Sequence, residues 1–437
     1  MIVMKFGGTS VGSAKNIKHV SSLIEQNDEP VIAVLSAMSG TTNKLVEICN
    51  YYYGKQADKA AALIDGLQEK YYSEIKNLLA TPSWQQTTMQ FVAERMDYIR
   101  SFANDIFTTF EEKCILAQGE LMSTQMMLNY MHEQNIEACM LPALDFMRID
   151  KNCEPDLDTT KTLLGNLLEA NSKHKIYITQ GFICRNAYGE IDNLQRGGSD
   201  YSASLIGAAM KATEIQIWTD IDGVHNNDPR IVEGTSPVSN LSYEEASELA
   251  FFGAKILHPT CVKPAQKADI PIRLKNTMQP DAHGTLINQS IEKNSIKAVA
   301  AKDDMYILRI SNSRQLPTAS FIASVYSICD NYQTVCFVSS FAETSMSICV
   351  EDNEHIDEIT EEIRQIGNVD MKKDMCIITI VGDLNPQNTA MTTKTTDAMK
   401  GCNIQMISFG GSNYSISYVV ESSEKHKAMK ELSKTLF

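Results

Sequence analysis

Apolar residues change their spacing several times along the chain, and each spacing predicts an element. Ile2 to Met4 form a short apolar run, and Pro30-Val-Ile-Ala-Val-Leu35 forms a longer one. Unbroken runs of this length read as strands buried on both faces, the habit of parallel sheets. Lys175 to Thr179, Ile215 to Thr219, Ile270 to Leu274 and Gly284 to Ile287 add further strands. Ala14 to Gln26 reads as a helix between the first two. Over 55–131 the spacing is again helical. Leu63, Leu67, Tyr71, Ile75 and Leu79 recur every four residues, and Ile99, Phe102, Ile106 and Phe110 every three or four, with Thr81-Pro-Ser-Trp84 between the stripes. Both stripes read as core-packing faces. Ser242-Tyr-Glu-Glu245 is a capping box that opens another helix. Strands and helices alternate up to residue 290, which predicts a mostly parallel α/β layer structure.

After a connection at 291–302 the pattern repeats itself. Ile307-Leu-Arg-Ile310 returns as Ile377-Ile-Thr-Ile380, and Ser345-Met-Ser347 returns as Ser415-Ile-Ser417, both at an offset of 70. Each copy reads strand, helix, two strands and helix, a small ferredoxin-like unit. Alternation over 344–350 and 413–419 suits strands with one buried face. The predicted domains are therefore 1–292, 303–373 and 374–437.

Glycines and hydroxyls collect at the ends of the predicted strands. Lys5-Phe-Gly7-Gly8-Thr9-Ser10 follows the first run. Glycines without Cβ let the backbone turn and bring N–H groups to a ligand. Thr9 or Ser10 can cap the next helix, and Lys5 adds an ammonium, which together describe a cradle for an anion such as phosphate. An ordinary strand–helix turn with a surface lysine accounts for the same residues. Ser36-Ala-Met-Ser-Gly-Thr-Thr42 ends the second strand, and open α/β sheets bind ligands beyond the carboxyl ends of their strands. In Gln118-Gly-Glu120 a glycine beside a carboxylate leaves room for a ligand near the backbone. Arg196-Gly-Gly-Ser199-Asp200 precedes an alanine-rich helix, another helix N-terminus flanked by charges or else a structural ion pair. G-x-x-x-x-G-K-[ST], G-x-G-x-x-G, H-R-D and D-F-G do not occur, which removes the P-loop, dinucleotide-fold and protein-kinase readings.

Composition narrows the class. The chain has 437 residues, 21% charged and 43% hydrophobic, as in a soluble protein of two or three domains. A net charge of −15 argues against nucleic acid or an anionic membrane as main partner. Eleven cysteines without a C-x-x-C pair fit reduced thiols and give no zinc signature. No basic leader opens the sequence, and no apolar run approaches ~18 residues. The expected location is the cytoplasm.

Five motifs then carry a family resemblance. Lys5-Phe-Gly-Gly-Thr-Ser-Val11, Arg196-Gly-Gly-Ser-Asp200, Trp218-Thr-Asp220, Asp228-Pro-Arg230 and Phe252-Gly-Ala-Lys255 stand in the order found in aspartokinases of the amino-acid kinase superfamily. The resemblance spans nearly the whole chain and implies a helix–sheet–helix sandwich followed by two ACT units. It implies ATP-dependent phosphorylation of the β-carboxylate of L-aspartate to 4-phospho-L-aspartate, the first step toward lysine, threonine and methionine. Mg²⁺ would arrive with the nucleotide, with no metal-ligating side chains assigned. By the same likeness Lys5, Gly7, Gly8 and Asp200 are catalytic, Asp200 orienting Lys5. Ser36, Thr42, Glu120, Arg196 and Ser199 would bind aspartate, with Arg196 on the α-carboxylate and Glu120 on the α-amino group. Lys5, Thr219, Asp220, His225, Arg230 and Lys255 would meet the nucleotide, His225 replacing a tyrosine of many relatives. The ACT pair implies an end-product effector, lysine in preference to threonine for a monofunctional chain, and a homodimer formed through these units. Two alternatives stand beside this: a kinase of glutamate or an acylated amino acid, and an inactive amino-acid sensor on the same frame. Retention of Lys5, Arg196, Asp200 and Lys255 speaks against the inactive sensor.

Overall fold

The computed structural model describes residues 1–104, 106–194, 197–254, 257–313 and 316–437, with the side chain of Asn104 left out. Contacts divide the chain into two compact units, Met1–Val224 with Thr260–Gln289, and His225–Pro259 with Ser290–Phe437.

In the first unit the apolar runs are strands as predicted in β1 (Ile2–Phe6), β2 (Val31–Leu35), β4 (Ile176–Gln180) and β7 (Glu214–Thr219), while the short β3 (Ala138–Met140) and the hairpin β5 (Ile183–Arg185) and β6 (Ile191–Asn193) are additional to that prediction. After β8 (Asn240–Ser242), which belongs to the second unit, come β9 (Ile272–Asn276) and β10 (Thr285–Asn288). The first unit's strands lie in the order β3-β4-β2-β1-β7-β9-β10. All neighbours are parallel except β9 and β10. Phe6 is opposite both Leu35 and Trp218, and Leu35 is opposite Gln180, so four strands end at one level.

Met4 and Phe6 pack into a core with residues of α1 (Ala14–Glu25), α2 (Thr41–Tyr53), α3 (Ala57–Leu78), α4 (Pro82–Ser101) and, after α5 (Thr109–Leu116), α6 (Gln118–Glu133). Strand alternation turns Val3 and Lys5 to the opposite face. Beyond the short α7 (Ala143–Phe146) and α8 (Leu157–Ala170), helix α9 (Gly198–Met210) packs on β1, β2 and β7. Its small residues allow that approach, since a Cβ on Gly207 would run into Ile215. Of the first stripe, Leu67, Tyr71, Ile75 and Leu79 are buried as expected, and Leu63 is partly buried. The Ile99 stripe is not. Ile99 is buried, but Ile106 is 87% exposed and Phe110 43% exposed. Helix α4 stops at Ser101, and α5 begins afresh behind the Thr108–Glu111 capping box, so the helical period is broken between them.

The second unit joins 225–259 to the repeats. It contains α10 (Tyr243–Phe251), whose Ser242–Glu245 capping box forms as predicted, while α11 (Pro259–Ala268) returns to the first unit. Each repeat is strand, helix, two strands, helix: β11 (Ile296–Ser311), α12 (Thr318–Asn331), β12 (Cys336–Phe341), β13 (Ser345–Glu351) and α13 (Ile356–Arg364), then β14 (Asn368–Gly382), α14 (Thr389–Ala398), β15 (Met406–Phe409), β16 (Ser415–Glu421) and α15 (Lys425–Leu436). One antiparallel sheet, β12-β13-β11-β14-β16-β15, spans both. Met305 and Met375, equivalent by the repeat, lie opposite each other, and the register shifts on both sides of them. The preceding residues Asp304 and Asp374 both have φ 57°, a left-handed conformation suited to a bulge. Ile307, Val338, Cys349, Ile377, Met406 and Val419 share one core, so the inner faces of the two halves close on each other.

The segment 291–302, expected to be a connection, is largely strand. Lys302 is opposite Ile377 and Ile296 opposite Gly382, so the start of β11 completes the second repeat. The boundary expected at 292 also differs from the division by contacts. Val232 packs with Ile378 and Leu432, and Asn227 Nδ2 donates to Met429 O at 3.1 Å, which ties 225–259 to the repeats.

Candidate active site

The carboxyl ends of β1, β2 and β4 and the first turn of α9 surround a cavity of about 410 Å³. Its lining includes Gly8, Ser36, Thr42, Glu120, Phe182 and Ser199. The glycines serve close approach here rather than an unusual φ. A Cβ on Gly8 would lie 3.0 Å from Ala37 O, and one on Gly7 3.4 Å from Lys5 Nζ. Neither residue has a left-handed φ. The capping expectation is corrected: Ser13, not Thr9 or Ser10, caps α1. Ser10 is buried instead, its hydroxyl 2.7 Å from Thr277 Oγ1. Two helix N-termini line the cavity instead, α9 through Gly198 and Ser199 and α2 through Thr42 and Asn43. Left-handed Gly197 (φ 77°) precedes α9. Gly181 fits against it so closely that a Cβ there would come 2.6 Å from that of Ser199.

Lys5 reaches across to α9. Its Nζ stands 2.6 Å from Asp200 Oδ1, with the two side chains 12% and 16% exposed. The contact has the distance of an ion pair without the angles of a directed hydrogen bond. Water is largely excluded, so the pair is held more firmly than a surface salt bridge.

Lys5 and Asp200 stand beside the cavity without lining it, and the charged group on its lining is Glu120. It lies in the first turn of α6 and is 3% exposed. Oε1 accepts from Ala37 N at 3.1 Å, and Oε2 has no partner. Burial pushes its carboxyl up to about 8, against the opposing pull of that N–H. The carboxyl has one unpartnered oxygen, and burial keeps it in the neutral form below about pH 8 unless a cation meets it. Gly119 makes room for Ala37 rather than for a ligand, since a Cβ on it would stand 2.8 Å from Ala37 Cβ. Ser123 Oγ donates to Ser36 O at 2.8 Å and fixes the β2 turn to α6. Nothing in the local pattern singles out Ser123 or Phe182. Phe182 has φ 67°, a strained conformation for a bulky residue, at the cavity wall.

Thr219 ends β7 and Asp220 follows it, with Thr219 Oγ1 donating to Asp220 Oδ1 at 3.0 Å. They share the strand-end level with Lys5 but do not line the cavity. His225 and Arg230 belong to the second unit. His225 Nδ1 lies 2.9 Å from Thr235 Oγ1. Arg230 grips Asp228 through Nε at 2.9 Å and Nη2 at 2.7 Å, holding that carboxyl below its ordinary range. Arg196 and Lys255 lie outside the described residues.

The amino acid kinase family matches residues 1–276, and the ACT domain matches 378–436. Aspartokinase 1, chloroplastic, of Arabidopsis thaliana is 31% identical over 460 residues, covering 100% of this chain and 80% of that protein. The chain belongs to the aspartokinase family. It is a kinase, and its α/β sheet unit and ACT repeats are those of aspartokinases. E. coli aspartokinase III in complex with lysine and aspartate (T-state) superposes with TM-score 0.85 at 25% identity, covering 100% of this chain and 99% of that one. The same enzyme in complex with aspartate and ADP (R-state) gives TM-score 0.86 at 24% identity, with 100% of both chains covered.

Proposed function

We propose that this aspartokinase transfers the γ-phosphoryl group of ATP to the β-carboxylate of L-aspartate, giving 4-phospho-L-aspartate for lysine, threonine and methionine synthesis. The observation that carries the reading is the buried Glu120, with a vacant oxygen, on the cavity lining, together with the Lys5–Asp200 ion pair, whose Asp200 follows the cavity-lining Ser199. Glu120 Oε2 takes the substrate ammonium, a charge-assisted bond that answers its burial. Ser36, Thr42, Ser199 and Arg196 complete the aspartate site, with Arg196 on the α-carboxylate. A carboxylate nucleophile of pKa ~3.9 is already ionised, so no general base is needed. What the reaction needs is alignment and positive charge on the transferring group. Lys5, oriented by Asp200, and the Gly7–Gly8 backbone supply it, together with Lys255. Thr219, Asp220, His225, Arg230 and Lys255 form the nucleotide side.

The residues fit an anion: a glycine turn in which Gly8 packs closely on Ala37 O, an ammonium beside it and the α9 N-terminus. Mg²⁺ arriving with the nucleotide would supply positive charge to its phosphates, with no side chain assigned to hold it. Functionally the chain is divided into a kinase portion, 1–292, and two ACT units, 303–373 and 374–437. The repeats sense an end-product amino acid, lysine before threonine, and join two chains into a homodimer in the cytoplasm. The lysine complex of the E. coli relative supports that choice. The test is an ADP-release assay with L-aspartate against L-glutamate, each repeated with lysine or threonine. Turnover with aspartate alone, inhibited by lysine, is expected. Preference for glutamate would overturn the substrate assignment.

A further inference from the structure

Phe182 stands between β4 and β5 with φ 67°, and a bulky side chain seldom takes that conformation without being held there. Contacts on every side of it do so. Its N–H donates to Ser202 Oγ at 2.9 Å, and its carbonyl accepts from Leu194 N at 2.7 Å. Its ring fills the space beside Gly198, where a Cβ would come 2.4 Å from Phe182 Cδ2. Ser202 lies in α9 and is fully buried. Its hydroxyl also donates to Gly198 O at 2.8 Å. One buried oxygen therefore joins the strained residue to the first residue of α9, and both Phe182 and Gly198 line the cavity.

A serine inside a helix commonly returns its hydroxyl to the carbonyl four residues back, and that bond alone would be a local matter. A hydroxyl oxygen can accept while it donates, and here it accepts from another segment of the chain. The turn fixed in this way is the one that presents Ser199 to the cavity and Asp200 to Lys5. Gly181, next to Phe182, packs so closely on Ser199 that a shift of 181–182 must move it. We propose that Ser202 is a positioning residue, whose hydroxyl keeps Phe182 left-handed against Gly198 and so sets the place of Ser199 and Asp200. Its effect on turnover rests on the proposed function, in which Ser199 meets aspartate and Asp200 guides Lys5. The clamp itself does not.

Two measurements on the full chain test it. Hydrogen exchange read by mass spectrometry should be faster in Ser202→Ala for peptides spanning 180–184 and 197–202, and unchanged elsewhere. Steady-state assays should show kcat lowered by about tenfold and the aspartate KM raised, as small misplacements of reacting groups do. A hydroxyl that served stability alone would lower the melting temperature and leave kcat and both KM values of the folded enzyme as in the parent, which would overturn the proposal. Phe182→Gly supplies a second arm, since glycine takes a positive φ without strain. In that background Ser202→Ala should lower kcat far less than in the parent, because residues that act through one another are not additive. Strictly additive effects, or parent-like exchange in Ser202→Ala, would also overturn the proposal. A parent chain that fails to turn over L-aspartate would count against the proposed reaction, and the exchange measurement would still decide the clamp.

Discussion

Lys5 Nζ lies 2.6 Å from Asp200 Oδ1, which joins the first strand of the sheet to the first turn of α9. The strand alternation that sends Met4 and Phe6 into the helical core sends Lys5 to the other face, where α9 lies. Two motifs far apart in the chain thereby form one charged pair, next in sequence to the cavity-lining Ser199.

Lys5→Met should lower kcat by roughly 10²-fold or more, the scale seen when one donor to a developing charge is lost. KM for aspartate should change far less, because the ammonium serves the phosphoryl group. Near-normal turnover in a steady-state assay would remove Lys5 from the chemistry. Asp200→Asn should lower kcat by a smaller factor, as it leaves the ammonium in place but unguided.

Glu120 should make aspartate binding depend on pH. Its carboxyl, pushed to about 8 by burial, is protonated in the empty site below that pH. Binding the substrate ammonium requires its ionised form, so KM for aspartate should fall about tenfold per unit as pH rises toward 8, and binding should release a proton. Calorimetry in buffers of different ionisation enthalpy reads that proton directly. For stability the sign is opposite. The folded pKa is raised above the 4.5 of the free group, so the protonated group's contribution is fully present below pH 4.5 and is lost as pH rises to 8. Glu120→Gln should flatten both profiles while raising KM at pH 8.

Gly119→Ala should damage the aspartate site without touching a substrate-facing atom. The new methyl meets Ala37 Cβ at 2.8 Å and Thr41 Cγ2 at 3.3 Å, and Ala37 carries the N–H that Glu120 accepts. A loss of about 1–3 kcal/mol in stability is expected from such overpacking. Aspartate KM should rise while ATP KM holds, a split that separates local damage from general unfolding.

A chain ended at residue 293 should fold poorly rather than yield a free kinase. Val232 and Phe252 would lose the cores they share with Ile378, Leu432 and Met305, exposing apolar surface that promotes aggregation. A soluble, cooperatively melting fragment would show that 225–259 can be satisfied without the repeats.

In the full chain, lysine should bind and weaken apparent aspartate affinity by roughly 5- to 150-fold, the usual range of allosteric coupling. Aspartate must then weaken lysine binding by the same factor. Titrating each in the presence of the other checks that reciprocity, and sedimentation checks for the dimer.

Local pattern was enough for much of this protein. The buried strands are legible because a continuous apolar run has one way to satisfy its backbone and side chains together. The internal repeat and the Ser242 cap depend only on spacing along the chain. Lys5, Gly7, Gly8, Ser36, Glu120 and Ser199 were legible as candidates because each stands where a strand ends or a helix begins. Tertiary structure decided how they meet. Only packing shows that α9 rather than α1 presents its N-terminus to the cavity, since Ser13 caps α1 and Ser10 is turned to Thr277. Only packing reveals that Gly119 yields space to Ala37, that the Ile99 stripe is broken after Ser101, and that the start of β11 completes the second repeat. Each of these depends on which surfaces touch across long stretches of chain, and periodicity carries no information about a partner's position. The vacant oxygen of Glu120 follows the same rule, because a carboxyl becomes a binding group through what surrounds it.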